Sequence, residues 1–460
     1  MAGGHESRAS SVVQRILDLD DESVERALNE LMHRFGGRHR DLRDTFAQHA
    51  ARIGNRLDAQ ADLSEDRWLL LGATFTHEYS VEAVAVCNPS MVLHPDQSSS
   101  PVGTVRFVMS VRTIGEGHRS SIGFREGVID AHGRVSVDPP ASCPVIGTTH
   151  AAQLHRALFH GHLRDARRDG ESAAFVLDGL SETFTREELE ARLAALGSQR
   201  DTRRNVSATI NRLRTIAARS YRVDFPNGED LSRRILWPAV AAESHGMEDA
   251  RFVRFIESDG TVLYHATYTA YDGSAIRQQL LTTADFVTFD ISSLAGTAAT
   301  NKGLALFPRR INGRFAALSR YDRETNTIAF SEDCRIWDHA TSIQVPRQPW
   351  EVIQLGNCGP PIETPDGWLV LTHGVGPMRT YSIGALLLHL DDPTIVLGQL
   401  SEPLLAPTFE EQDGYVPNVV YSCGGLLHGG TVVIPYGVSD TSTAMATLQW
   451  NDLRSALLAS

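Results

Sequence analysis

An all-β core, most simply a β-propeller, with helices added in two places is the fold this chain predicts. Three observations carry that expectation. From Trp68 onwards short apolar runs such as "VRFVMSVRTI" and "SSIGFREGVID" alternate with Gly, Asp, Pro and Ser turns. After residue 235 nearly all of the chain pairs one apolar run with another across a turn such as Ser-Asp-Gly, Ile-Asn-Gly or His-Gly-Gly, which is hairpin grammar. Hairpins at recurring spacing point to radial repetition, the arrangement that leaves no long sheet edge exposed. A sandwich fits the same grammar.

Taken in order, residues 1 to about 60 place Val12, Val13, Ile16, Leu17, Val24, Leu28, Leu31 and Met32 at helical spacing, with a break at Gly36 and Gly37. This predicts an N-terminal helical arm. The remainder, 61–460, is the β domain, and its first strand is expected in "WLLLGATF" from Trp68. A helical insertion is expected between about 148 and 220, where "THAAQLHRALFHGHLRDARR", "TREELEARLAALG" and "NVSATINRLRTIAARS" show three-four spacing with Thr or Asn near their starts. An amphipathic helix must bury its stripe, so the arm and insertion suit a cap beside a pocket or a homo-oligomer contact.

Composition narrows the class. With 460 residues there is ample chain for a core, and 43 basic against 56 acidic residues give a net charge of -13, which repels a nucleic-acid backbone. The basic runs "HLRDARRDG" and "SQRDTRRNVSATINRLR" are read as solvated helix faces. The N-terminus "MAGGHESRASSVVQRIL" has no basic segment leading into an apolar run, and no stretch approaches the ~20 apolar residues of a membrane span, so a soluble cytoplasmic protein is expected. Cys87, Cys143, Cys334, Cys358 and Cys423 are scattered and never form CxxC, which suits small core residues rather than disulfides or a zinc site. The 18 histidines contain no HExxH or comparable cluster, so no metal is expected.

Four segments occur in a fixed order: "GMEDAR" at 246–251, "NKGLALFPRRINGRFAALSR" at 301–320, "PPIETPDGWLVLTHGV" at 360–375 and "VPNVVYSCGGLLHGGTVVIPYGVSDT" at 416–441. Together they resemble glycoside hydrolase family 130, the β-mannoside phosphorylases and related hydrolases, from about 236 to 445, with a weaker match in "AVCNPSMV" at 85–92. The resemblance implies a five-bladed propeller with its site in the central depression. It implies no cofactor, inorganic phosphate as co-substrate and a β-linked mannoside as the partner. The helical segments lie outside it, and "TIGEGHRSSIGF" departs from it, placing Glu116, His118 and Arg119 near Arg112 where they can reshape a substrate pocket.

Glycosidic cleavage needs an acid near the leaving oxygen and a nucleophile on the opposite face of the sugar. Phosphate is already an anion and can attack directly, but it needs cations to hold it. The resemblance makes Asp249 the general acid, delivering its proton through a sugar hydroxyl. Without it, Asp249 reads as a turn aspartate before a strand. Alternation in an extended segment sends neighbouring Glu248 elsewhere. Lys302, Arg320 and His373 match positions that hold phosphate, although singly an arginine reads as surface charge and a lone strand histidine as core. Asn88, Arg112 and Asp440 match contacts to the cleaved mannosyl residue, and Asp272 is a candidate whose residue type equally suits a hairpin turn. Tyr271 and Trp368 could stack on a sugar, or Trp368 pack between blades.

The retained cations favour inverting phosphorolysis of terminal β-mannosides to α-mannose 1-phosphate. A β-mannoside hydrolase on the same fold is the alternative, with Glu116 or Glu363 as the water-activating carboxylate. A non-catalytic carbohydrate-binding propeller is the third reading, and a buried acid at Asp249 argues against it.

Overall fold

The computed structural model describes residues 8–54, 63–168, 170–199 and 203–459. Both ends of the expected arm, Asp169 of the first basic run and residues 200–202 of the second lie outside them. The chain divides into two compact units, residues 1–80 with Ala141–Cys143, and residues 81–140 with 144–460.

The first unit contains four helices, Arg8–Leu17, Asp21–Phe35, Leu42–Ile53 and Glu65–Thr74. The last is a correction, because the run beginning at Trp68 reads as a strand. Ser64 caps a helix there, accepting from the Arg67 N–H, and Glu65 and Asp66 complement the helix dipole in its first turn. Leu69 packs with Leu28, Leu42 and Phe46, and Gly72 lies so close to the Phe46 carbonyl that any Cβ there would clash. A short apolar run does not distinguish strand from helix by periodicity, and the cap decides it.

The second unit has the expected β-rich core, as successive antiparallel meanders. The first comprises Ala85–Leu93, Val105–Ile114 and Ser120–Ile129, and the second Gly246–Ile256, Val262–Tyr271, Ile276–Thr283 and Thr288–Ser293. The third runs from Ala305–Leu306 through Phe315–Ser319 and Asn326–Ser331 to Ala340–Gln344. The fourth contains Gln354–Asn357, Gly367–Val375, Tyr381–Leu388 and Val396–Gln399, and the fifth Val420–Tyr421, Thr431–Val438 and Ser442–Gln449. A parallel bridge between Gly246 and Ser120 joins the first two meanders into one larger sheet.

Apolar clusters fill the spaces between meanders. Trp368 of the fourth is fully buried, edge-on to Phe307 beside the third, with the Arg309 guanidinium over its ring. A ring of this size contributes about 2–3 kcal/mol on leaving water, which settles Trp368 as packing rather than sugar stacking. Four cysteines, Cys87, Cys334, Cys358 and Cys423, are buried, Cys143 is half-buried, and all five are free thiols.

Between the first and second meanders lie the helices Arg156–Asp165, Glu171–Leu177, Arg186–Gly197 and Val206–Ala217, packed around their own core of Leu163, Leu177, Leu193 and Leu213. Thr185 and Glu188 form a reciprocal capping box at the third. Thr148–Ala151, expected to be helical, is instead a strand paired with Tyr221–Asp224. Two β-branched threonines beside an available strand edge outweigh the helical spacing, and the helix begins only at Arg156.

Candidate active site

Two strands carry the same local device. In Ala85–Leu93, pairing slips between Cys87 and Ser90, and in Gly246–Ile256 it slips between Glu248 and Arg251, each time by one extra residue. The residue absorbing each bulge is left-handed, Asn88 at φ 49° and Asp249 at φ 55°. Asn and Asp tolerate that conformation better than other non-glycine residues, at a cost of roughly 1–2 kcal/mol. The two bulged side chains meet, the Asn88 Nδ2 donating to Asp249 Oδ1 at 2.7 Å in a buried contact.

The bulge also corrects the expectation for Glu248. Strict alternation would send it away from Asp249, but the extra residue breaks the alternation and both carboxylates face one group of cations. Arg112 donates to Glu248 Oε1 at 2.8 Å and lies 3.5 Å from Asp249 Oδ1, while the Lys302 Nζ lies 2.5 Å from Glu248 Oε2. Burial pushes the Asp249 carboxyl up, but Arg112, Lys302 and Arg251 outweigh it and bring it down to about 2. Asp249 is therefore an anion at neutral pH when no ligand is present.

Asp440, at φ 49° in the turn joining the last two strands of the fifth meander, behaves oppositely. Its own burial and the Asp249 charge raise it to about 6, against the opposing pull of Arg112 and Arg379. Two carboxylates of one site are thus pushed apart.

Arg320 and His373 form the other side. The Arg320 guanidinium donates to His373 Nε2 at 2.9 Å, which requires the imidazole proton on Nδ1. Burial, then Arg320 and Arg251, hold the His373 pKa well below its usual value, so the ring is neutral. The expected trio of basic groups is therefore two cations and a neutral ring that orients one of them. Glycines make room for them, since a Cβ at Gly303 would lie 2.8 Å from Arg320 Nε, and one at Gly356 only 2.6 Å from Arg320 Cδ.

Beneath lies Arg251, fully buried, donating to the Cys358 carbonyl at 2.9 Å, the Asp249 carbonyl at 2.8 Å and the Tyr421 hydroxyl at 2.9 Å. Neither Arg251 nor Arg320 forms a side-chain ion pair with a carboxylate among the described residues. The sequence reading missed Glu248, Arg251 and Tyr421. The run Glu-Asp-Ala-Arg held the signal, because consecutive acids followed by a buried arginine do not suit an ordinary strand.

Asn88, Arg112, Asp249, Lys302, Arg320, His373 and Asp440 thus come from all of the meanders or the turns beside them. Asp272 remains apart in function. It accepts from the Ser274 and Ala275 backbone N–H groups and pairs with Arg277 at 2.7 Å, which commits it to its hairpin turn. The Tyr271 hydroxyl likewise donates to the Gly273 carbonyl of that turn. Glu363 pairs with Arg309 at 2.8 Å on an exposed hairpin, and Glu116 lies in the exposed loop after Arg112's strand.

The family described as glycoside hydrolase 130, "beta-1,4-mannooligosaccharide phosphorylase", matches residues 222–456, just over half of the chain. A "1,2-beta-oligomannan phosphorylase" of Thermoanaerobacter sp. is 33% identical over 229 residues, covering 49% of this chain and 75% of that protein. A "Beta-1,2-mannobiose phosphorylase" of Listeria innocua is 32% identical over 225 residues, covering 47% of this chain and 62% of that protein. A solved Listeria innocua structure of that activity, in complex with β-1,2-mannobiose, aligns at a TM-score of 0.49 with 22% identity, covering 84% of this chain and 95% of that chain.

Proposed function

The chain belongs to glycoside hydrolase family 130, and from that membership we propose that it cleaves terminal β-mannosides with inorganic phosphate, releasing α-mannose 1-phosphate and a shortened acceptor. The observation that carries the reading is Arg320, a guanidinium held on a neutral histidine with no carboxylate partner among the described residues, packed against Gly303, the residue after Lys302. A cation left without a counter-ion inside a polar site is suited to an anion that arrives with the reaction, and phosphate fits its planar fork.

In this reading Arg320 and Lys302 hold phosphate, His373 backs Arg320, and Asn88, Arg112 and Asp440 contact the mannosyl hydroxyls. Phosphate attacks the anomeric carbon from the face opposite the leaving oxygen, which inverts the configuration. Asp249 supplies the proton through a sugar hydroxyl. Of the cations that keep it ionised, Lys302 is the one the incoming phosphate anion would offset, so substrate binding raises its proton affinity when the acid is needed. No cofactor takes part.

The same reading makes the meanders the blades of a five-bladed propeller around this site, supported by the contribution of site residues from each. It leaves Asp272 in its turn. The helical insertion caps the pocket or joins copies of the chain, and the arm packs on a neighbour, in a protein acting in the cytoplasm. No helix among the described residues is long and apolar enough to cross a membrane.

The hydrolytic alternative keeps Glu116 as its water-activating carboxylate, with Asp440 as a further candidate, since Glu363 is paired with Arg309. Product analysis on β-1,2-, β-1,3- and β-1,4-linked mannobioses, with and without phosphate, separates the two. Mannose 1-phosphate formed only with phosphate is the expected result. Free mannose formed at the same rate without phosphate would overturn the reading.

A further inference from the structure

The loop that departs from the family pattern leads to a feature outside the charged cluster. Gly115–Arg119 connects the strand carrying Arg112 to the next one and is closed by Gly115 N–H donating to the Arg119 carbonyl at 3.1 Å. His118 sits in it at φ 59°, exposed, and its ring stacks on Tyr415 with centroids 5.5 Å apart and planes 17° from parallel. Its Nδ1 lies 3.1 Å from the Tyr415 hydroxyl.

Tyr415 is itself fixed to the turn that holds Asp440. Its N–H donates to Thr441 Oγ1 at 2.8 Å, and the Val416 N–H donates to the Ser439 carbonyl at 3.0 Å. Tyr415 nevertheless remains 47% exposed. An aromatic pair tied down from both sides and left open to water gives up the free energy of burying its rings. It spans the gap between the loop after Arg112 and the loop clamped beside Asp440, two proposed contacts of the cleaved mannosyl residue.

We infer that His118 and Tyr415 form an aromatic platform for the sugar on the leaving side of the cleaved bond. The inference rests on the phosphorolysis reading, which places the mannosyl residue among Asn88, Arg112 and Asp440 and so puts the next sugar at the solvent side. A pyranose ring presents C–H groups on one face and hydroxyls at its edge. The stacked rings suit the first, and the Tyr415 hydroxyl suits the second. Both rings are held before the ligand arrives, so little side-chain entropy is lost on binding.

The test uses the full chain and the mannobiose that the parent enzyme cleaves, assayed also in reverse with α-mannose 1-phosphate and free mannose. Tyr415→Ala and His118→Ala should each raise the KM for mannose about tenfold, consistent with one lost ring contact, and leave the KM for phosphate within about twofold. Tyr415→Phe keeps the stack and should stay within about threefold of the parent. Unchanged mannose KM in both alanine variants, or mannose and phosphate KM rising together, overturns the platform. A parent enzyme that forms no mannose 1-phosphate overturns the phosphorolysis reading itself, and the platform with it.

Discussion

The site has two cationic sides that differ in what neutralises them. On one, Arg112 and Lys302 are occupied by Glu248, with Asp249 close by. On the other, Arg320 and Arg251 are met by a neutral imidazole, backbone carbonyls and a phenol. The first is a satisfied network that fixes positions. The second retains positive charge that no carboxylate among the described residues pairs with. Residue counts alone would have called both sides basic, but only the geometry shows which charge is free to act.

Four perturbations sharpen or break that contrast. The largest effect is expected from Asp249→Asn, which removes the proposed proton donor and keeps the shape. The kcat for phosphorolysis should fall by about 10³-fold while the mannoside Kd changes only a few-fold, read by steady-state kinetics and calorimetry. Retained turnover would remove Asp249 from the acid role and shift attention to Asp440.

Next is Glu248→Gln, aimed at the satisfied side. Removing the shared carboxylate leaves Arg112 and Lys302 with Asp249 as their remaining nearby anion, and denaturant unfolding should register a loss of about 2 kcal/mol. A stability within error of the parent would mean that the pairs are unimportant to the fold. Arg320→Ala strikes the unspent side instead. It should raise the phosphate KM by about 100-fold with little change in the melting temperature, and Arg320→Lys should restore only part, because the planar fork is lost.

The smallest expected effect is on Asp440, and it depends on pH. Its carboxyl is raised in the folded protein, to about 6, so its protonated form favours folding fully below about pH 4 and that stability is lost as pH rises through 6. Asp440→Asn should therefore stabilise the unliganded protein by at most ~3 kcal/mol at pH 8, with the gain vanishing below pH 4. A pH-independent change would place its effect in packing rather than in repulsion with Asp249.

The β-rich texture, the hairpin turns and most of the helical additions were legible because each is a local pattern. So was the membership of Asp249, Lys302, Arg320 and Asn88 in one site, through ordered motifs. Glu248 was misread because alternation is a rule for regular strands, and the bulge that breaks it shows itself only in the pairing register. Leu69 to Leu71 were misread because three buried leucines look alike in a strand and in a helix, and the cap at Ser64 was overlooked.

What the sequence by itself determined is the inventory: strands in hairpins, two helical segments, a family, and a set of polar and charged candidates carried by its ordered motifs. Residue type and local spacing suffice for these. What only the tertiary structure decided is their state. The neutral ring of His373, the low carboxyl of Asp249 beside the raised one of Asp440, and the division of the cations into paired and unpaired sets all depend on burial and on which charges face one another across strands far apart in the chain. Those are long-range electrostatic facts, and no local pattern encodes them.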